Sequence, residues 1–244
     1  MTATPQNKIG GLLLVIGTIL MVGMQVLTPG LAVVDFVDAD DFIGLGRVIQ
    51  ENMALSFLTT MLGVLGLVLQ LYGVLVLRRA IMGEGANDTI ARFGVMALGL
   101  GIVISMIDRA VLYTATHTLE YGIGAGAGPD QAQLLDFISV ILLKTQSGLN
   151  LMAFYAFLLG SIGLGIGLMT RFRASSMRAV AVVMVLSCLV SLVFVAVISP
   201  LYGLAGSFFT LFLAAVLLGN TWLVMMGVGL YNGRPELSNT TVAA

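Results

Sequence analysis

Two adjacent charges, Asp108 and Arg109, interrupt the apolar run 93–113. Ionisable groups in such a run are functional candidates by default, because charge in hydrocarbon is expensive to keep. Counted from Arg92, sixteen residues of helix rise about 24 Å, which puts the pair in the outer part of a membrane. Adjacent helical residues do not face one another, so each charge needs its own partner. Asp136 and Lys144, eight residues apart in the next apolar stretch, fall roughly on one side of a helix. The set pairs naturally as Asp108 with Lys144, and Arg109 with Asp136 or Glu120. It suits either acid–base chemistry near the outer interface or an ion-pair cluster that pins two helix ends.

Polar side chains within the other apolar runs are few: Gln25, Gln70, Ser105, Gln146, Asn150, Ser187, Ser191 and Asn220. Gln70, Ser105, Asn150 and Asn220 are the set from which a polar cavity would be built. Interhelical hydrogen bonds, worth roughly 1 kcal/mol each, account for the same residue types. No acid lies at mid-membrane, so a proton-coupled pump has little to work with.

The single histidine, His117, lies near Tyr113, Glu120 and Tyr121, where it reads as an interfacial side chain. One histidine and one cysteine, Cys188, cannot assemble a zinc or iron–sulfur site from protein ligands. Asp35, Asp38, Asp40 and Asp41 supply hard oxygen atoms but lack the ordered spacing and central glycine of a calcium loop. No Ser/His/Asp set, phosphate-binding glycine loop or zinc-protease helix is present. The expectation is a protein with no cofactor, no metal and no catalytic set.

These positions are held by an apolar chain. Of 244 residues, 59% are hydrophobic and 9% charged, against about 25% charged in a soluble domain. Mean hydropathy is +1.06. Soluble enzymes, nucleic-acid binders and disordered chains are excluded, and an all-α polytopic integral membrane helix bundle is expected. Membrane lipids are then its first partners.

A membrane-crossing helix needs about 20 mainly apolar residues. Six stretches qualify within one domain, 1–244: 9–27, 54–77, 93–113, 149–170, 179–199 and 204–231. Residues 134–148 extend the fourth outward, giving a projecting helix or one broken near Ser147 and Gly148. Residues 1–8 lack a signal-peptide pattern, so the first run is expected to be retained. All five prolines fall at span ends or in loops.

Basic residues set the orientation. Lys8, Arg78, Arg79, Arg92, Arg171, Arg173, Arg178 and Arg234 lie on one side, and most acids on the other. Both termini are therefore expected in the cytoplasm, in a bacterial inner membrane. On the outer side, 42–58 reads as an amphipathic helix leading into span two. The outer segment 114–133 contains 122–129, a glycine-rich stretch that reads as flexible.

Gly160, Gly163 and Gly167 recur at helical spacing on one face of span four. Small residues let helix backbones approach closely in lipid, either within one bundle or against another subunit.

The stretch Arg47-Val48-Ile49-Gln50-Glu51-Asn52, the run 69–79 ending in Leu-Arg-Arg, and Leu218-Gly219-Asn220-Thr221-Trp222-Leu223 with Gly227 and Gly229 carry a family resemblance. Over 9–233 the pattern resembles a bacterial family of uncharacterised six-span membrane proteins, the domain of unknown function 4386. The glycine-rich outer loop and the charged projecting helix depart from it. The resemblance implies a six-span fold and carries over no catalytic residue.

With no catalytic set and plain inner loops, the chain reads as a non-catalytic subunit or partner-binding component of a membrane assembly. Other membrane subunits or further copies of itself would be its partners. The alternatives are a small transporter or lipid-binding protein using the polar set, and an intramembrane enzyme using Asp108, Arg109, His117 and Lys144.

Overall fold

Proline suits the first turn of a helix, where its missing N–H would have no partner. Pro5 opens α1 (Pro5–Leu27) and Pro129 opens α5 (Pro129–Met169). Between them lie α2 (Phe42–Glu51), α3 (Met53–Ala80) and α4 (Ala86–Gly124). After α5 come α6 (Ser175–Val193), a π-helical turn (Phe194–Ile198), α7 (Ala205–Tyr231) and a 3-10 turn (Pro235–Leu237). This computed structural model describes residues 4–38, 40–81, 85–124, 128–172, 174–198 and 205–237. Among them there is no strand. Residues 125–127 of the glycine-rich stretch, Arg173, Pro200 and Leu204 lie outside the described residues.

Among the described residues, five helical segments are long and apolar enough to cross a membrane: Pro5–Leu27, Met53–Ala80, Ala86–Tyr121, Gln133–Met169 and Ser176–Ala196. This is an integral membrane protein with an all-helical fold. A shorter apolar stretch, Val216–Tyr231, belongs to α7.

The amphipathic helix expected over 42–58 is in fact two helices. Asp41 caps α2, its Oδ1 accepting from the Gly44 N–H at 2.8 Å, which satisfies a donor the helix itself cannot. Asn52 breaks the chain between α2 and α3 with ψ near 36°. Its Nδ2 donates both to the Val48 carbonyl and to Asp35 Oδ2, each at 3.1 Å. Asp35 adopts a left-handed φ of 46°, which aspartate tolerates better than most residues.

The segment 114–133, expected to lie between spans, is helical over most of its length, with 125–127 of its glycine-rich stretch outside the described residues. Helix α4 continues to Gly124 and α5 begins at Pro129. The threonines that weaken helix propensity here are accommodated, because Thr114 and Thr118 donate to carbonyls four residues back. Burial supplies the drive: Leu112, Ala115 and Leu119 of α4 pack with Ile49 of α2 and Leu143 of α5. Nor does the fourth span break, since α5 runs unbroken through Ser147 and Gly148 for 41 residues.

The chain groups into two units. One comprises Met1–Ile19, Val68–Val103 and Ala153–Ala244; the other comprises Leu20–Leu67 and Ile104–Met152. In the first, backbones meet where side chains are absent. A Cβ at Gly94 of α4 would meet the Leu164 amide nitrogen, with the Gly160 carbonyl oxygen 2.7 Å away. One at Gly167 would lie 2.5 Å from the Ala91 nitrogen, and one at Gly163 2.9 Å from the Gly94 Cα. The glycine face of α5 is thus spent on α4 of the same chain. Gly11 of α1 and Gly227 of α7 approach each other in the same way. Phe172 and Trp222 close this core edge to face at 5.9 Å. Arg171 anchors it by donating to Asp88, through Nε at 2.9 Å and through Nη2.

Candidate functional site

The second unit has charge in its interior. Asp108 and Arg109 on α4 are only 4 and 5% exposed. Arg109 turns toward the end of α1, where its Nη1 donates to Thr28 Oγ1 at 3.2 Å. Thr28 is held for this role, because its hydroxyl donates to the Met24 carbonyl at 2.7 Å. On α3, Gly63 offers bare backbone to the guanidinium: a Cβ there would lie 3.7 Å from Arg109 Nε and 3.8 Å from Met24 Cβ.

Asp108 turns the other way, as adjacent helix positions must. The buried Gln146 of α5 lies beside its carboxylate, while Oδ1 is buried without a partner. Ser56 and Thr60, also buried, have hydroxyl oxygens with no partner. With Gly63 they fall at i, i+4 and i+7, on one face of α3.

The pairings expected for this cluster do not form. Lys144 is exposed, and its Nζ lies 5.6 Å from the centre of the Phe42 ring. Asp136 is exposed on the same helix. Glu120 Oε2 lies 3.0 Å from His117 Nδ1. Among the described residues the ion pairs are His117–Glu120 and Asp88–Arg171. Arg109 and Asp108 are therefore buried opposite charges on adjacent positions, outside ion-pairing distance of each other and of other described charges. Sequence reasoning placed the charges and missed Thr28, which sits at the end of span one with nothing local to mark it.

His117 belongs to an aromatic row on α4. Its ring stacks 6.2 Å from Tyr113 and meets Tyr121 edge-on at 5.1 Å, with Phe57 of α3 beside Tyr113 at 5.2 Å. Such rings are typical of a membrane–water interface.

The four polar-cavity residues divide between the units, Gln70 and Asn220 in one, Ser105 and Asn150 in the other. Gln70 Nε2 donates to Thr18 Oγ1 at 3.2 Å. Asn220 Nδ2 donates to the Val216 carbonyl at 2.7 Å, and its Oδ1 has no partner. Ser105 and Asn150 are half-buried. Among the described residues no three His, Cys, Asp or Glu side chains could hold a metal ion together. Cys188 is buried against Met184. Two of the acids in the Asp35–Asp41 loop are engaged, Asp35 with Asn52 and Asp41 as a cap.

The buried group has spare hydrogen-bonding capacity at Asp108 Oδ1 and at the Ser56 and Thr60 hydroxyls. No family model, curated protein or solved structure matches the chain.

Proposed function

We propose that this protein is a non-catalytic, partner-binding component of a membrane assembly in a bacterial inner membrane. The observation that carries the reading is the length of α5 and what its far end displays. At 1.5 Å per residue, 41 residues make a helix of about 62 Å, twice the roughly 30 Å hydrocarbon core. Arg171 follows its inner end. From Met169, Ile141 lies about 42 Å away and Leu134 about 53 Å. Even at a tilt of about 40°, near the upper end of the observed range, both clear the hydrocarbon.

Yet Leu134, Phe137, Ile138 and Ile141 are exposed. Their spacing is that of a single helical stripe. An apolar stripe beyond the lipid is stabilised by covering it, and a helix of another membrane subunit has the matching shape and chemistry.

The wider arrangement we propose has six spans, with α7 as the sixth and both termini in the cytoplasm. It would place the chain beside the six-span family it resembles. The test is a photo-crosslinking residue at Phe137, activated in native membranes before purification in mild detergent. A stoichiometric adduct with a foreign membrane protein is expected. A monomer without adducts would overturn the assignment.

A further inference from the structure

We propose that the helix covering the α5 stripe belongs to a different membrane protein, with a large side chain for a notch at Gly148 and a carboxylate for Lys144. This partner chemistry rests on the partner-binding reading above.

Helix α5 is exposed along more than its apolar tip. Leu134, Ile138, Ile141, Thr145, Gly148 and Met152 are all exposed. Their spacing alternates between four and three residues, which is the seam along which one helix packs on another. No charge interrupts it. On the opposite side of α5, Ser139, Leu143 and Gln146 are buried within the chain. Glycine is a poor helix residue, and a Cβ at Gly148 would meet no described atom within 4 Å. Gly160 and Gly163 answer a packing need inside this chain; Gly148 answers none there. With Thr145 one turn before it, Gly148 leaves a notch between the larger Ile141 and Met152.

Shape and charge both favour a foreign helix over a second copy. Two copies in one membrane run parallel, and a symmetric pair brings equal positions together. Ile141 and Met152 would then hold the helices apart while notch faced notch, leaving an unfilled gap. A foreign helix can fill the notch with a large side chain. Lys144 stands beside the seam, exposed, and no carboxylate pairs with it among the described residues. The positions flanking the seam on its other side are leucines, Leu135, Leu142 and Leu149, so a second copy offers this cation no acid. From Met169, Gly148 lies about 32 Å and Lys144 about 38 Å along the helix, at the edge of the roughly 30 Å hydrocarbon core and just beyond it. The partner helix therefore carries its large side chain where it leaves the hydrocarbon, with Asp or Glu within about one turn.

The test uses the full chain in native membranes, with a photo-crosslinking residue placed singly at Phe137, Ile138, Thr145, Met152 and, off the seam, Ser147. The first four are expected to join one foreign protein, at sites that mass spectrometry maps to a single membrane-crossing helix. Ser147 should give at least tenfold less adduct. A carbodiimide, which joins amines to carboxylates without a spacer, should link Lys144 to an Asp or Glu of the same helix. Lys144→Gln should lose that link.

Gly148→Leu fills the notch at an exposed position and should cut the Phe137 adduct at least tenfold, with thermal unfolding no earlier than in the wild type. An unchanged Phe137 adduct in Gly148→Leu would overturn the proposal and leave the partner-binding reading standing. So would a Phe137 adduct with none from Thr145 or Met152, or with no Lys144 link. Those two measurements decide the matter where Gly148→Leu folds poorly. Adducts to a second copy would overturn the foreign partner. No adduct at Phe137 in the wild type would remove both readings.

Discussion

Arg109 reaches Thr28 across 81 positions of sequence, so the end of α1 is tied to the C-terminal half of α4 by a charge-assisted hydrogen bond. Removing the hydroxyl leaves that N–H without its described acceptor. We expect Thr28→Val to destabilise the protein by about 1–3 kcal/mol, whereas Thr28→Ser should stay near wild type. Thermal unfolding in detergent of the two variants side by side checks this. Equal stability would show that the hydrogen bond contributes nothing.

Glycine positions give a sharper contrast. At Gly94 a methyl group meets backbone atoms of α5, including the Gly160 oxygen at 2.7 Å, whereas at Gly63 the nearest atom is 3.7 Å away. Backbone cannot move aside as a side chain can. Gly94→Ala should therefore cost about 1–3 kcal/mol from overpacking, and Gly63→Ala should be tolerated. Reversal of that order in a denaturation series would contradict the α4–α5 packing.

The second unit depends on a small core. Ile49 is 1% exposed and sits with Leu112, Ala115, Leu119 and Leu143. Truncation by Ile49→Ala should cost about 2–5 kcal/mol. Loss of the helix cap by Asp41→Ala should cost about 1 kcal/mol. Proteolysis within 42–52 should rise more in the first variant than in the second.

Arg171 and Asp88 are partly exposed, at 21 and 17% of their side-chain surfaces. Screening limits what such a pair contributes. Asp88→Asn should lower stability by about 1 kcal/mol at low salt and by less at 1 M salt, where the Debye length is about 3 Å. A loss that does not change with salt would mean that packing, not charge, holds the two residues.

The sixth span has a parity test. If α7 crosses the membrane, reporters fused to the two termini should report the same, cytoplasmic side. Reporters on opposite sides would leave five crossings and retire the six-span arrangement.

Local composition alone determined that the chain is helical and lies in a membrane, because hydrocarbon admits few other ways to satisfy a backbone. It also located the buried charges, since Asp108 and Arg109 are conspicuous in an apolar run, and the glycine face of α5, since Gly160, Gly163 and Gly167 recur at helical spacing. What those features touch was decided by tertiary structure. Lys144 looked like a counter-charge for Asp108 and instead lies near Phe42. Gln146, two residues on, is the α5 side chain buried beside Asp108, because a step of two positions on a helix turns a side chain to another face.

Helix ends escaped the sequence for a related reason. Residues 114–124 have the composition of a loop, but their helix is stabilised by Ile49 and Leu143, which are distant in sequence. Asn52 interrupts a continuous amphipathic pattern through a contact with Asp35. Short-range propensity differs by tenths of a kcal/mol per residue, while burial of one side chain contributes about 1.5–3 kcal/mol. Wherever the two disagreed, the partner across the fold prevailed.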